Sequence, residues 1–292
     1  MTFSFQQAVG RVTRAAVVAL PLAVAPALGS PFGAQAETRT TDKLLDLLGV
    51  PETIEIMRVE GLAYADELAA DMLPSSPGVT WQKTIETIYD PDRMEETVRA
   101  GFADSFLSRD VNPDTLETFF GSDLGQDIIR LEISAREAMV DQAIEDAARA
   151  AYLDRAGATE AEDARLAQIK AFVEANDLVE ANVVGGMNTT IAFYQGLVDG
   201  GALDMSEPKI IAEVWGSEGE TRTDTMEWIF GFLMMAYRPL SDDDLMAYAD
   251  VVSTPEGKAM NTALFAGFDA MYGDISYALG RAIAGQMDVQ DL

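Results

Sequence analysis

Apolar positions recur along most of the chain at the spacing that marks one face of an α-helix. In two stretches the apolar stripe is followed by a tight turn that ends in a glycine, and then by a second helix. The stretches are DVNPDTLETFFGSDLGQDII (110–129) and PLSDDDLMAYADVVSTPEGKAM (239–260). Their stripes are Leu116, Phe119 and Phe120 in the first, and Leu245, Tyr248, Ala249 and Val252 in the second. The pattern predicts one helix–turn–helix motif that the chain carries twice.

Helix boundaries can be read from the residues between the stripes. Asp90 and Thr254 each precede a proline, the arrangement of a capping side chain followed by proline in the first helical turn. After Gly125 the apolar spacing predicts a long helix that continues through Ile144, and Thr159 is predicted to cap the next helix. No long alternating run of β-branched residues bounded by turns is present in the sequence.

These boundaries predict an all-α protein of two related helical halves packed in one compact body. Each half contains a capped helix, a turn and a long helix. The first half is predicted to span residues 37–156 and the second residues 157–292, with the break at Gly157.

The second stretch, LSDDDLMAYADVVSTPEGKAM, resembles the hallmark of the domain of unknown function 2059 family, which comprises helical proteins exported by Gram-negative bacteria. Segments LLDLLGVPETIEIMR (44–58), AREAMVDQAIEDAA (135–148) and LFAGFDAMYGDISYALGRA (264–282) also resemble that family. The first stretch departs from the family pattern in a turn that reads as shorter. The resemblance implies a helical fold and export. It implies no established activity and no catalytic residues.

Residues 1–36 have the composition of a secretory signal peptide. Arg11 and Arg14 precede an apolar segment over 15–29, and Ala34-Gln35-Ala36 matches a cleavage site. The first acidic residue of the chain is Glu37. We therefore expect cleavage before Glu37 and export to the periplasm, with secretion to the medium as the lesser alternative. The apolar segment is short for a membrane anchor and contains two prolines.

Composition removes several classes of function. The sequence contains no cysteine and no histidine, so it has no thiol nucleophile, no Ser-His-Asp triad and no histidine-ligated metal site. The formal net charge of −29 argues against nucleic acid as a partner. We expect no cofactor and no metal. The acidic runs 90–96 and 242–244 lack the loop of a calcium site, although weak Ca²⁺ binding stays open.

The most unusual segment is WIFGFLMMAY (228–237), which is apolar on every side of a helix. Such a helix is buried all round, or it lines a pocket. If it lines a pocket, we expect an apolar ligand groove between second-half helices, with Trp228, Phe232, Met235 and Tyr248 in its walls. A plain core is the alternative.

The sequence thus favours a non-enzymatic binding or interaction module of the cell envelope. Its expected partner is an unidentified protein or a small apolar ligand. The alternative from another class is a carboxylate-dependent hydrolase or lyase, in which two acidic side chains serve as acid and base. Such an enzyme would show a cleft with two inward carboxylates in perturbed environments.

Overall fold

Twelve helices follow a short helical segment (41–47) in the computed structural model, which describes residues 41–73 and 78–290. The predicted signal peptide (1–36) lies outside the described residues. The described residues contain no strand, so the predicted all-α class is confirmed. The helices are α1 (Val50–Met72), α2 (Val79–Ile88), α3 (Pro91–Leu107), α4 (Asp114–Phe120), α5 (Asp123–Met139), α6 (Gln142–Leu153), α7 (Ala164–Ala175), α8 (Leu178–Asp199), α9 (Glu207–Gly216), α10 (Glu218–Ala236), α11 (Asp242–Val252) and α12 (Pro255–Gln290).

The 36-residue helix α12 is the centre of the packing, with α8 and α3 against it as its most extensive neighbours. Glycines allow both close approaches. A Cβ at Gly101 of α3 would lie 2.9 Å from the Cα of Gly267 in α12. A Cβ at Gly280 of α12 would lie 2.3 Å from the main-chain oxygen of Phe193 in α8. The backbones therefore meet where any larger residue would separate the helices.

Helix α10 carries the apolar segment and packs mainly against α6. Gly231 brings the two backbones together, because a Cβ there would lie 3.0 Å from the carbonyl carbon of Ala148. Next to this contact the rings of Phe230 and Tyr152 stack with centroids 4.8 Å apart. Helix α10 also contacts α5, α7 and α8, which accounts for its apolar residues on several faces.

The two turns singled out in the sequence have the same hydrogen bonds. Ser122 and Thr254 each donate their hydroxyl to the carbonyl three residues earlier, at 2.6 and 2.7 Å. Each accepts from the glycine N–H three residues later, Gly125 at 3.1 Å and Gly257 at 3.0 Å. A Cβ at either glycine would lie within 2.4 Å of a main-chain oxygen of the preceding helix. Whether the halves as wholes are related stays a prediction.

Three local predictions are wrong. The first turn is not shorter than the second, because the difference lies in the helix before it, 7 residues in α4 and 11 in α11. The helix after Gly125 does not continue through Ile144, since it ends at Met139 and the Asp141 side chain caps a new helix. Thr159 does not cap α7, which begins at Ala164. The cap is Asp163, and Thr159 instead bonds to Glu162.

Candidate functional site

A cleft with a cavity volume of about 190 Å³ lies between α1, α5, α10 and α12. Apolar side chains make up most of its walls, and one carboxylate and one guanidinium are among them. The lining residues are Leu48, Thr53, Met57, Ile129, Glu132, Ile133, Arg136, Trp228, Phe232 and Phe268.

Helix α5 supplies one whole face to this cleft. Ile129, Glu132, Ile133 and Arg136 follow one another at helical spacing and therefore share a side of α5. The turn before α1 fits against them at Gly49, whose φ of 65° is in the left-handed region. A Cβ at Gly49 would lie 2.5 Å from the Cδ1 atom of Ile133. Glycine thus lets this turn close on the end of the cleft.

Trp228 and Phe232, one turn apart on α10, form an aromatic wall. Their rings are stacked, with centroids 5.2 Å apart and an angle of 14° between the planes. The guanidinium of Arg136 lies 5.7 Å from the centre of the Trp228 ring, a distance that permits a cation–π contact. Two contacts therefore hold the aromatic wall in place. The two rings stack on each other within α10, and the guanidinium from α5 lies against one of them.

Glu132 lies where α5 meets α10 and α11, in contact with two tyrosines. The Tyr237 hydroxyl donates to Oε1 of Glu132 at 2.6 Å, and the Tyr248 hydroxyl also bonds to this carboxylate. Burial raises the pKa of Glu132 to about 7, although the hydrogen bonds from both tyrosines act in the opposite direction. Burial and the Glu132 charge raise the pKa of both tyrosines, which keeps them as donors.

Arg136 is paired with a carboxylate from another helix. Its guanidinium binds Glu60 of α1 through two hydrogen bonds, Nη2–Oε2 at 2.7 Å and Nε–Oε1 at 3.2 Å. Burial alone would lower the pKa of Arg136, but Glu60 raises it above its ordinary value. The charge of Arg136 is thus largely balanced before any ligand arrives.

A second cavity of about 10 Å³ lies beside Glu60. Three tyrosines line it, Tyr64, Tyr89 and Tyr272. Burial, together with the two neighbouring tyrosines, raises the pKa of Tyr89 well above its ordinary value. Gly61 makes room for the Tyr89 ring, from which a Cβ would lie only 2.0 Å away. The volume suits one water molecule at most, so this cavity is too small for a ligand.

The structure brings together two of the four predicted groove residues. Trp228 and Phe232 line the cleft. Met235 packs partly buried against the core, and Tyr248 lies in an aromatic cluster that includes Phe172, with ring centroids 5.2 Å apart. Tyr248 reaches the cleft only through its hydrogen bond to Glu132. The cleft also takes two of its four walls, α1 and α5, from the first half. Ligand binding by any of the four residues stays a prediction.

Sequence reasoning missed Glu132, Arg136, Met57 and Phe268. The face of α5 contained a usable pattern, because Glu132 and Arg136 stand among Ile129 and Ile133 on one stripe. Charged residues on an apolar helical stripe need buried partners, and that need marks a candidate site. The partners come from α1, α10 and α11, whose positions the spacing along α5 does not reveal.

The acidic runs have structural partners. Asp90 accepts a hydrogen bond from the N–H of Arg93 as the cap of α3, and Glu95 pairs with Arg99 at 2.6 Å. Asp244 bonds with Ser241, the cap of α11. Over residues 41–73 and 78–290, no group of three or more acidic side chains is arranged to hold a metal ion. Weak Ca²⁺ binding stays a prediction.

No family model, curated protein or solved structure matches the chain. The resemblance to the domain of unknown function 2059 family therefore stays a prediction. In the part of the chain that the structure describes, no helix combines the length and the apolar character that crossing a membrane would require.

Proposed function

We propose that this protein is a non-enzymatic binding module of the cell envelope, exported to the periplasm. We further propose that it binds a small apolar ligand in the cleft between α1, α5, α10 and α12. The observation that carries the proposal is the concave, mostly apolar lining with only a few polar groups, which is the usual composition of a small-molecule site.

The size of the cleft supports a small ligand rather than a protein segment. Its volume of about 190 Å³ is comparable to the engineered protein cavity of about 150 Å³ that binds benzene. An amphipathic partner helix would need a longer groove with several anchoring positions. A compound of one ring and a short side arm fits the space better.

The alternative, a carboxylate-dependent hydrolase or lyase, is favoured by one observation. Glu132 has a pKa near 7, as a general acid or base requires. Among the described residues that line the cleft, however, Glu132 is the one carboxylate, whereas paired acid–base hydrolysis uses two. The lining thus supports binding better than turnover. A panel of chromogenic glycosides and esters tests the alternative, and turnover abolished by Glu132→Gln would favour the enzyme.

The binding proposal is tested by titrating the protein with 2-phenylethanol in a calorimeter. Phe232→Leu removes half of the aromatic wall and is expected to weaken binding several-fold. Phe119→Leu is the matched control, because Phe119 is also a partly buried phenylalanine but does not line the cleft. Equal binding by the parent and both variants would place the compound elsewhere. Absence of binding by the parent would argue against the cleft as a site for small apolar compounds.

A further inference from the structure

Glu132 lines an apolar cleft, and its carboxylate has no cation to balance it. Within the described residues no lysine or arginine nitrogen comes within the 4.0 Å of an ion pair with Glu132. Its protein partners are the hydroxyls of Tyr237 and Tyr248, which donate hydrogen bonds but carry no positive charge. A partly buried carboxylate in this state lacks the partner that would most stabilise its ionised form.

The nearest cationic side chain in the lining does not fill that role. Arg136 stands one helical turn after Glu132, yet its guanidinium is held by both oxygens of Glu60. A ligand carboxylate would have to compete with Glu60 for Arg136, and it would lie in the same small cleft as Glu132. Competition with Glu60 and repulsion by Glu132 therefore both disfavour anionic ligands.

We propose that the cleft binds a small apolar amine, whose ammonium group pairs with Glu132 while its apolar body lies against Trp228, Phe232 and Phe268. This inference rests on the proposed function and narrows it to one class of ligand. The aromatic walls favour the same class, because aromatic faces attract cations as well as apolar groups. The net charge of −29 adds a long-range attraction for cations.

Probes that share a phenylethyl group and differ in the head group test the proposal. The full chain is titrated calorimetrically at pH 8 and 150 mM salt with 2-phenylethylamine, 2-phenylethanol and 3-phenylpropionate. The amine is expected to bind at least tenfold more tightly than the alcohol, and the carboxylate most weakly. Comparison of the three probes on the unchanged protein needs no variant to fold. An alcohol that binds as tightly as the amine would overturn the proposal.

Two glutamate variants on the same helix then locate the charge. Glu132→Gln keeps the shape of the side chain and is expected to weaken amine binding at least tenfold, while alcohol binding changes less than twofold. Glu137→Gln removes an exposed charge from α5 and should leave both affinities unchanged. Equal losses in the two variants would mean that the amine responds only to the general negative charge, which overturns the assignment to Glu132.

The three probes and Phe232→Leu distinguish a cleft that does not select amines from a cleft that binds none of these compounds. If amine, alcohol and carboxylate bind alike and Phe232→Leu weakens all three, the cleft binds apolar compounds but does not select amines. If none of the three binds, the cleft is not a site for compounds of this size and both proposals fail.

Discussion

At the scale of single residues, Glu132 balances two opposing effects. Burial favours its neutral form, while hydrogen bonds from Tyr237 and Tyr248 favour its charged form. Burial prevails and the pKa of Glu132 rises to about 7. Asp269 is in a comparable position, because burial raises its pKa to about 7 against a hydrogen bond from Asn188.

The raised pKa of Glu132 predicts that stability falls as pH rises. In the folded state Glu132 keeps its proton up to about pH 7, whereas in the unfolded chain its pKa is near 4.5. The stabilising contribution is thus fully present below about pH 4.5 and is lost as pH rises through 7, by up to roughly 3 kcal/mol. Urea denaturation between pH 5 and 8.5 measures the free energy of unfolding of the parent and of Glu132→Gln. The decrease of this free energy with rising pH should be smaller in the variant. Parallel pH profiles for both proteins would contradict the prediction.

Asp269 provides an independent check on the predicted fall of stability with rising pH. Asp269→Asn should remove a further part of the pH dependence, since the direction of its pKa shift is the same. The two parts are expected to add, because neither carboxyl contributes to the pKa shift of the other.

Removal of one tyrosine hydroxyl should push the pKa of Glu132 higher still. Tyr237→Phe deletes the 2.6 Å hydrogen bond to the carboxylate while the ring and its packing stay in place. We expect the pKa of Glu132, followed by NMR of the side-chain carboxyl, to rise above 7, with a loss of about 1–3 kcal/mol at pH 8. Tyr152→Phe is a suitable control, because Tyr152 stacks on Phe230 and does not bond to Glu132. An unchanged pKa in Tyr237→Phe would show that Tyr248 alone holds the carboxylate.

At the scale of elements, glycines fix how closely α12 approaches its neighbours. Gly280 faces the backbone of α8, whereas Gly273 and Gly285 on the same helix have no atom within 4 Å of where a Cβ would stand. The three positions share one helix and differ in their surroundings.

The same substitution at two positions of α12 should therefore have opposite effects. Gly280→Ala places a Cβ 2.3 Å from the main-chain oxygen of Phe193 and is expected to cost about 1–3 kcal/mol. Gly273→Ala gains helix propensity without a clash and is expected to stabilise by roughly 0.5–1 kcal/mol. Thermal and urea denaturation measure both values. Equal effects at the two positions would mean that α8 and α12 do not meet at Gly280.

Helix type and most helix starts were predictable from the sequence, because they depend on local features. Asp90 and Thr254 cap the helices that their positions before proline indicated. The break at Asp141 was missed, since apolar spacing continues on both sides of it and hides a single capping side chain. Only part of the cleft could be predicted from the sequence. The apolar character of Trp228 and Phe232 is visible in the sequence, but the contacts of Glu132 depend on α10 and α11 approaching α5.

At the scale of the whole molecule, the described residues pack as one body, in which helices of each predicted half pack against helices of the other. Helix α3 of the first half lies against α12 of the second, and α10 of the second lies against α6 of the first. The largest apolar cluster runs through both halves. The cleft shares this arrangement, because α1 and α5 precede the predicted boundary and α10 and α12 follow it.

Export is the first prediction at this scale. The change from a basic and apolar N-terminus to the acidic residues after Ala36 favours cleavage before Glu37. Mass spectrometry of the protein from the periplasm of an expressing Gram-negative host should find a chain that begins at Glu37. Replacing Ala34 and Ala36 with bulky residues should block this processing. A periplasmic chain that retains Met1 would contradict cleavage.

The packing of each half against helices of the other predicts that neither half folds alone. A fragment of residues 37–156 would expose the face of α3 that meets α12, and a fragment of residues 157–292 would expose the face of α10 that meets α6. Each fragment alone is expected to melt without cooperativity, because those faces lose the apolar burial that stabilises them. Co-expressed fragments should associate one to one and recover both a cooperative melt and the binding of 2-phenylethylamine. Gly231→Val in the second fragment should weaken the association, since Gly231 touches the backbone of Ala148. A fragment that melts cooperatively near the temperature of the whole chain would instead make that half a domain in its own right, and the cleft would then be an interface between two domains.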